Sequence, residues 1–312
     1  MTFPASILRT GTTACCSAAL VIAAWVGAAL AQQPAPQGVT IERTDLGNGA
    51  YMLVGNGGNI GLSVGEDGVL MIDDQFAPLT DKILASVAEV TDKPVTFVVN
   101  THWHGDHTGG NENLGKAGAL IVAHDNVHAR MSTDQFVKAF NRTVPAAPAD
   151  ALPVITFSES TTFHFNGDTI RVIHAANGHT DGDAIIFMEK ANVLHMGDNY
   201  FNNMFPFIDL SSGGSIDGMI AALEEGLALT GGDVQVIPGH GPLATRADME
   251  EMRDILQEAR DKVAAAIAAD KSLDEIKADA PLAYLDDRWS GAFINAASFT
   301  ETIYNSLTSA DE

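Results

Sequence analysis

Cysteine is almost absent from this 312-residue chain: the two present, Cys15 and Cys16, stand side by side near the N-terminus. Nothing after them can form a disulfide framework or offer a thiolate to a metal. Positive charge is scarce as well. Seventeen Lys and Arg face 40 Asp and Glu, a formal net charge of −23. A phosphate-binding face needs clustered cations, so neither nucleic acid nor an anionic membrane is expected as a partner, and the charge reads as solubility. Long hydrophobic runs are missing too. The apolar stretch at residues 18–30 has about 13 residues, where a membrane span needs roughly 20.

With Arg9 before that stretch and Ala29-Leu30-Ala31 closing it, the first 31 residues read as a secretory signal cleaved ahead of Gln32. The mature chain is then expected in the periplasm or outside the cell, free of the membrane. Cys15 and Cys16 precede the apolar stretch, whereas a lipoprotein cysteine follows it, so both leave with the signal. Residues 32–38 (QQPAPQG) read as a flexible linker, and residues 39–312 as one domain with a helical extension from about 245. With 46% hydrophobic residues, that length can bury a sizeable core.

Short β-like runs open the domain at Ala50–Val54, Ile60–Val64 and Val69–Ile72, the first two joined by a turn at Gly55-Asn56-Gly57-Gly58. Helical spacing follows over Leu79–Val90, a strand over Val95–Val99, a helix opening within Thr108–Leu114, a strand over Ala119–Ala123 and a helix over His124–Phe140. Beyond a Pro- and Ala-rich loop the theme repeats. Ile170–His174, Ala184–Met188, Val193–Met196 and Val234–Ile237 read as strands. Ile216–Leu229 reads as a helix, and Thr245 caps a long helix to about Ala268. Two similar halves that mix strands and helices imply an α/β layered fold with helices on the outer faces.

Polar clusters punctuate the strand ends. The stretch THWHGDHTGG, residues 101–110, sets His102, His104, Asp106 and His107 just beyond an apolar strand. The second half adds His179, Asp198 and His240, each at a turn after a strand-like run. Strand ends converge in space, and imidazole with carboxylate is the donor set zinc accepts where thiolate is lacking. These donors exceed what one four-coordinate ion uses, so two ions are the economical reading. Other histidines have plainer readings. His124 and His128 stand four apart on a helix and could bind a metal together, but a solvated helix face is the plainer reading, and His195 packs in a strand. His174 supports His179 or fills the sheet, while Asp181 and Asp183 brace the His179 turn or cap backbone N–H groups.

His102-Trp103-His104-Gly105-Asp106-His107 matches the HxHxDH motif, and with His179, Asp198 and His240 in order the chain resembles the metallo-β-lactamase superfamily from about Val39 to Pro242. The resemblance implies a four-layer αβ/βα sandwich of two packed mixed β-sheets with external helices, and two zinc ions per chain. By it, His102, His104 and His179 hold the first zinc. Asp106, His107 and His240 hold the second, Asp198 bridges, and Asp73 supports the ligands from behind. Such a pair, roughly 3.5–4 Å apart, shares a hydroxide that attacks a carbonyl, with Asp106 as the catalytic residue orienting it.

The substrate is narrowed by what surrounds these residues. Asp198 stands where one branch of β-lactamases has a thiolate ligand, which points towards lactonase, thioesterase and glyoxalase-like branches. No Lys or Arg occurs between Lys190 and Arg246 to hold a substrate carboxylate; one could reach the site only from elsewhere, Lys138 and Arg142 being candidates. Instead, Asn199 to Phe207 offers an apolar wall, with Asn199 and Tyr200 as donors for an oxyanion. Export favours a small-molecule cyclic amide or ester, a β-lactam or lactone, with a thioester second. A non-catalytic periplasmic metal-binding protein is the reading from a different class.

Overall fold

The computed structural model describes residues 38–289 and 294–308, so the signal and nearly all of the 32–38 linker lie outside the described residues. In chain order the first part comprises β1 (Glu42–Gly47), β2 (Ala50–Val54), β3 (Ile60–Gly65), β4 (Gly68–Ile72), α1 (Thr80–Ala88), β5 (Val95–Val99), α2 (Gly105–Thr108), α3 (Asn111–Lys116), β6 (Leu120–His124) and α4 (Asp125–Met131). A hairpin of β7 (Gln135–Val137) and β8 (Arg142–Val144) follows, then β9 (Ile155–Phe157). Among the described residues, one sheet runs β1-β2-β3-β4-β5-β6-β9, antiparallel up to β4 and parallel beyond it. The β7–β8 hairpin forms its own small sheet.

The second sheet is built in sequence order from β10 (Ser160–Phe165), β11 (Asp168–Ala175), β12 (Asp183–Met188), β13 (Val193–His195), β14 (Gln235–Ile237) and β15 (Ala244–Thr245). Its one parallel pair, β13–β14, is joined through the helix α5 (Ile216–Leu229), as a parallel crossover requires. The helices α6 (Arg246–Ala268), α7 (Leu273–Asp279), α8 (Asp286–Trp289) and α9 (Ala296–Thr308) complete the described chain.

The period-two alternation of the strands generates the layers. On β4, Leu70 and Ile72 enter a core shared with Val172, Ile186 and Ile237 of the second sheet. Val69 and Met71 face the other way, onto Ile83 and Val87 of α1 and Leu114 of α3. The second sheet turns Ile185, Leu194 and Val236 outward onto Leu223 of α5, Leu256 of α6 and Phe299 of α9. The result is the helix–sheet–sheet–helix sandwich that the resemblance implied. Burial on both faces also explains why Val69-Leu70-Met71-Ile72 is continuously apolar rather than alternating.

Helix α6 starts where the sequence placed it. Thr245 accepts from the Asp248 N–H, and the Asp248 carboxylate accepts from the Thr245 N–H. The reading of His124–Phe140 as one helix fails after Met131. Gln135 folds back so that its amide donates to the Arg130 carbonyl, and Asn141 adopts a left-handed conformation that turns the hairpin. Strands β1 and β10 were not legible, because their largely exposed, polar residues make no apolar run.

Asn59 stitches the two parts of the chain together at full burial. Its side-chain amide donates to the carbonyls of Pro238 (2.9 Å) and Gly241 (2.9 Å), its N–H donates to Gly239 O (2.7 Å), and its own carbonyl faces His195 Nε2 (3.1 Å). Replacing Asn59 by Ala should lower the unfolding free energy by about 1–3 kcal/mol, the cost of leaving the buried Pro238 carbonyl unpaired. Urea denaturation measures this; an unchanged midpoint would show that the junction does not depend on that amide.

Candidate metal centre

The seven donors arrive from the ends of adjacent strands. Beyond β5, Thr101 to His104 run across the edge of the sandwich, and the short turn of α2 presents Asp106 and His107. His179 comes from the β11–β12 connection, Asp198 from a 3-10 turn (Gly197–Asn199) after β13, and His240 from the loop after β14. His102, His107, His179 and Asp198 are buried, whereas the side chains of His104, Asp106 and His240 are 13%, 30% and 25% exposed and reach the surface of a pocket.

Asp198 divides its two oxygens between two groups of imidazoles. Its Oδ2 lies 3.6 Å from His179 Nε2 and 3.9 Å from His102 Nε2, and His104 Nδ1 stands 2.8 Å from His179 Nε2. Its Oδ1 lies 3.1 Å from His107 Nε2 and 3.5 Å from His240 Nε2. Asp106 Oδ2 closes the second group, 3.3 Å from His240 Nε2 and 3.7 Å from His107 Nε2. Donors on a tetrahedral zinc at about 2.0–2.1 Å stand roughly 3.3–3.4 Å apart, so these separations fit an ion in each group.

Two further observations fit metal in this donor set. His102 Nε2 and Asp198 Oδ1 are buried with no hydrogen-bond partner among the described residues, an arrangement that is costly unless something else satisfies them. The charge balance points the same way. Burial holds His102 well below its ordinary range and His179 down to about 4, so both present neutral lone pairs. At His240 burial also opposes the charged form, but Asp198 and Asp106 outweigh it and raise its pKa to about 9. The carboxylates demand positive charge at the second group, which a proton or a cation can supply.

Four of the five imidazoles are aimed by a partner on the other nitrogen. His102 Nδ1 faces the Thr101 hydroxyl (3.0 Å), which itself donates to Asp73 Oδ2 (2.8 Å). Asp73 Oδ2 also lies 2.7 Å from His107 Nδ1, and its Oδ1 accepts the Thr101 N–H. His179 Nδ1 faces the carbonyl of Phe207 (2.8 Å), and His104 Nε2 faces Asp209 Oδ2 (3.0 Å). These contacts fix the tautomers so that His102, His107 and His179 present Nε2 inward and His104 presents Nδ1. Asp209 and Thr101 were missed in the sequence, since no spacing ties Asp209 to a histidine 105 residues away. Two glycines make the room. A Cβ on Gly58 would fall on the His107 ring, and one on Gly239 on the Asp198 carboxylate.

Asn199 and Tyr200 do not serve the site as the sequence suggested. The Asn199 amide is buried, accepting from the His179 N–H and donating to the Met196 carbonyl. Tyr200 is extended, so its side chain and that of Phe201 point to opposite sides. The Tyr200 hydroxyl is buried beside Asp248, Glu251, Arg288 and Trp289, while Phe201 stacks on His240 with ring centroids 5.3 Å apart. Four other histidines have structural places. His195 is buried in β13, His128 Nδ1 faces the Pro153 carbonyl, and His124 stacks on His174 at 3.8 Å. Asp183 accepts the Thr180 N–H and hydroxyl, and Asp181 pairs with Arg130.

The donors open onto a pocket of about 680 Å³ whose walls are mainly apolar. Trp103, Phe201, Met204, Phe205 and Phe207 line one part, and Phe76 another. The β7–β8 hairpin adds Val137, Phe140, Val144 and one cation, Arg142. The absence of Lys and Arg between 190 and 246 therefore does not leave the pocket without positive charge, because a distant hairpin folds over it.

Among known families, the model described as Metallo-beta-lactamase superfamily matches residues 53–266. A hydroxyacylglutathione hydrolase of Polaromonas sp. is 30% identical over 165 residues, 52% of this chain and 55% of that protein, so the chain spans about half of it. A metallo-beta-lactamase type 2 of Bacteroides fragilis is 24% identical over 207 residues, 62% of this chain and 76% of that one. A solved metallo-beta-lactamase from Pontibacter korlensis shares the fold with a TM-score of 0.57 at 20% identity, covering 70% of this chain and 99% of its own.

Removing the Asp209 carboxylate frees the His104 ring. Asp209→Ala is expected to weaken zinc affinity about 10–100-fold with the fold retained. Competition against a chromophoric chelator measures it, and an unchanged affinity would mean that packing alone holds His104.

Proposed function

The chain belongs to the metallo-beta-lactamase superfamily, and from that premise we propose that it is a hydrolase dependent on two zinc ions, opening a carbonyl compound. The observation that carries this reading is Asp198, with one oxygen towards each of two imidazole groups, at the floor of an apolar pocket. His102, His104 and His179 would hold one ion, Asp106, His107 and His240 the other, and Asp198 both. Bound there, the pair would supply a water deprotonated near neutral pH and a Lewis acid for a carbonyl oxygen.

The chain's own residues do the rest. Asp106, the most exposed of the carboxylates in the cluster, accepts a hydrogen bond from the attacking water and orients it towards the pocket. The buried rings and their partners hold the donors in place before substrate arrives, so little reorganises during reaction. The apolar walls take the body of the substrate and exclude bulk water. A volume of about 680 Å³ suits a small molecule rather than a polymer.

A cyclic amide or ester, β-lactam or lactone, is the first substrate class, supported by the export signal read in residues 1–31. A thioester is the second, favoured by the likeness to a hydroxyacylglutathione hydrolase and by a carboxylate at Asp198. Purified protein assayed on a chromogenic β-lactam, a lactone series and an acyl-glutathione thioester should cleave at least one, lose that activity with chelator and regain it with zinc. Close to two zinc ions per chain are expected. Cleavage of none by a zinc-loaded sample, or activity indifferent to chelator, would overturn the reading.

Asp106→Asn should lower kcat by about 10²–10⁴-fold with KM little changed, as for loss of a transition-state contact. Metal content is measured on the same sample. Unchanged turnover with both ions present would remove Asp106 from the mechanism.

A further inference from the structure

Each described arginine except Arg142 has a carboxylate oxygen within 3.7 Å of its guanidinium. Arg43 pairs with Glu89, Arg130 with Asp181, Arg171 with Glu189, Arg246 with Glu250, Arg253 with Asp254, Arg260 with Asp217 and Arg288 with Glu251. In a chain of net charge −23, acidic partners are plentiful. Among the described residues Arg142 has no carboxylate in reach, and it is also the one Lys or Arg lining the apolar pocket. Its place follows from the hairpin. Strands β7 and β8 pair with each other and with no other strand among the described residues. Val137 on β7 and Val144 on β8 turn towards the pocket, and the Phe140 ring between them lies 5.1 Å from the Phe207 ring across it. Phe140 and Phe136 are 52% and 54% exposed, so the hairpin presents aromatic surface that the domain core does not bury.

We propose that Arg142 is the anion-binding residue of this pocket, and that the substrate is a carbonyl compound with an apolar body and a carboxylate at the end held by the hairpin. This rests on the hydrolase reading for the reaction, but not for the binding. The aromatic walls take the body, as in mainly apolar sites where a few polar groups set orientation. The planar guanidinium, always charged, meets a carboxylate with two parallel N–H donors, and because Arg142 is exposed at the mouth of the pocket, salt screens the pair. Holding both ends fixes which carbonyl of the substrate lies against the metal donors, so Arg142 selects substrate without touching the reacting atoms.

The test uses zinc-loaded full-length protein and two probes of equal size, 4-phenylbutanoate and 4-phenylbutanamide, with affinities read by calorimetry at low and high salt. The wild type should bind the carboxylate about 10–100-fold more tightly than the amide, with the preference shrinking as salt rises. Arg142→Gln should weaken the carboxylate by about that factor and shift the amide less than twofold, whereas Arg142→Lys should keep part of the preference. Phe140→Ala should weaken both probes alike. A carboxylate preference that survives Arg142→Gln would place the anion on the metal donors and overturn the proposal, as would equal binding of the two probes by the wild type. Because binding is read without turnover, a protein that binds as described and hydrolyses nothing would sink the hydrolase reading and leave the anion site standing.

Discussion

A buried carboxylate shared between two sets of imidazoles is the constraint around which this molecule is arranged. Taking Asp198 out of water is costly unless positive charge meets it, and the chain answers with four histidines instead of Lys or Arg. Neutral imidazoles cannot balance Asp198, Asp106 and Asp73 by themselves. The carboxylates therefore favour a cation or a proton at the second group, where they raise the pKa of His240, while burial lowers the pKa of His102 and His179 and keeps those rings neutral. A charge requirement of that size at the end of a packed sandwich is a binding site before it is anything else.

Much of the surrounding architecture serves to hold that requirement in place. Parallel strands β4, β5 and β6 end on the same edge as β13 and β14, so loops from both sheets deliver donors to one point. Asp73 reaches Thr101 and His107 together, and through Thr101 it also orients His102. Asn59 pins the loop that carries His240, and Gly58 and Gly239 leave the space that the His107 ring and the Asp198 carboxylate fill. The chain stores its precision in these supporting contacts rather than in the ligands, which any sequence with the motif would share.

The pocket is a different kind of construction. Its floor belongs to the rigid cluster, but part of its wall is a hairpin outside both large sheets. Of the hairpin strand residues, Val137 joins the main core at full burial and Val144 packs against it, while Phe136, Arg142 and Thr143 are exposed. On the proposed reading, reaction chemistry and substrate choice would reside on separate parts of the fold, the first in the buried cluster and the second on an exposed element.

What the sequence determined by itself is what depends on local pattern. The apolar runs at β2, β4, β5 and β12 mark buried strands, the Thr245 cap and the 3.6 spacing mark α6, and an α/β layered fold follows from them, while the four-layer order was implied by the family resemblance. The seven donors were legible because imidazoles and aspartates after apolar runs are conspicuous. The tertiary structure decided everything that depends on which way a side chain turns or how far a loop reaches. A backbone bend after Met131 turned an apparent helix into the hairpin that brings Arg142 over the pocket. An extended residue sent the Tyr200 hydroxyl away from the site and Phe201 towards it, and the fold joined Asp209 to His104 across 105 positions. Periodicity reports which residues are buried; only the folded chain sets the direction and distance on which hydrogen bonds and charge pairs depend.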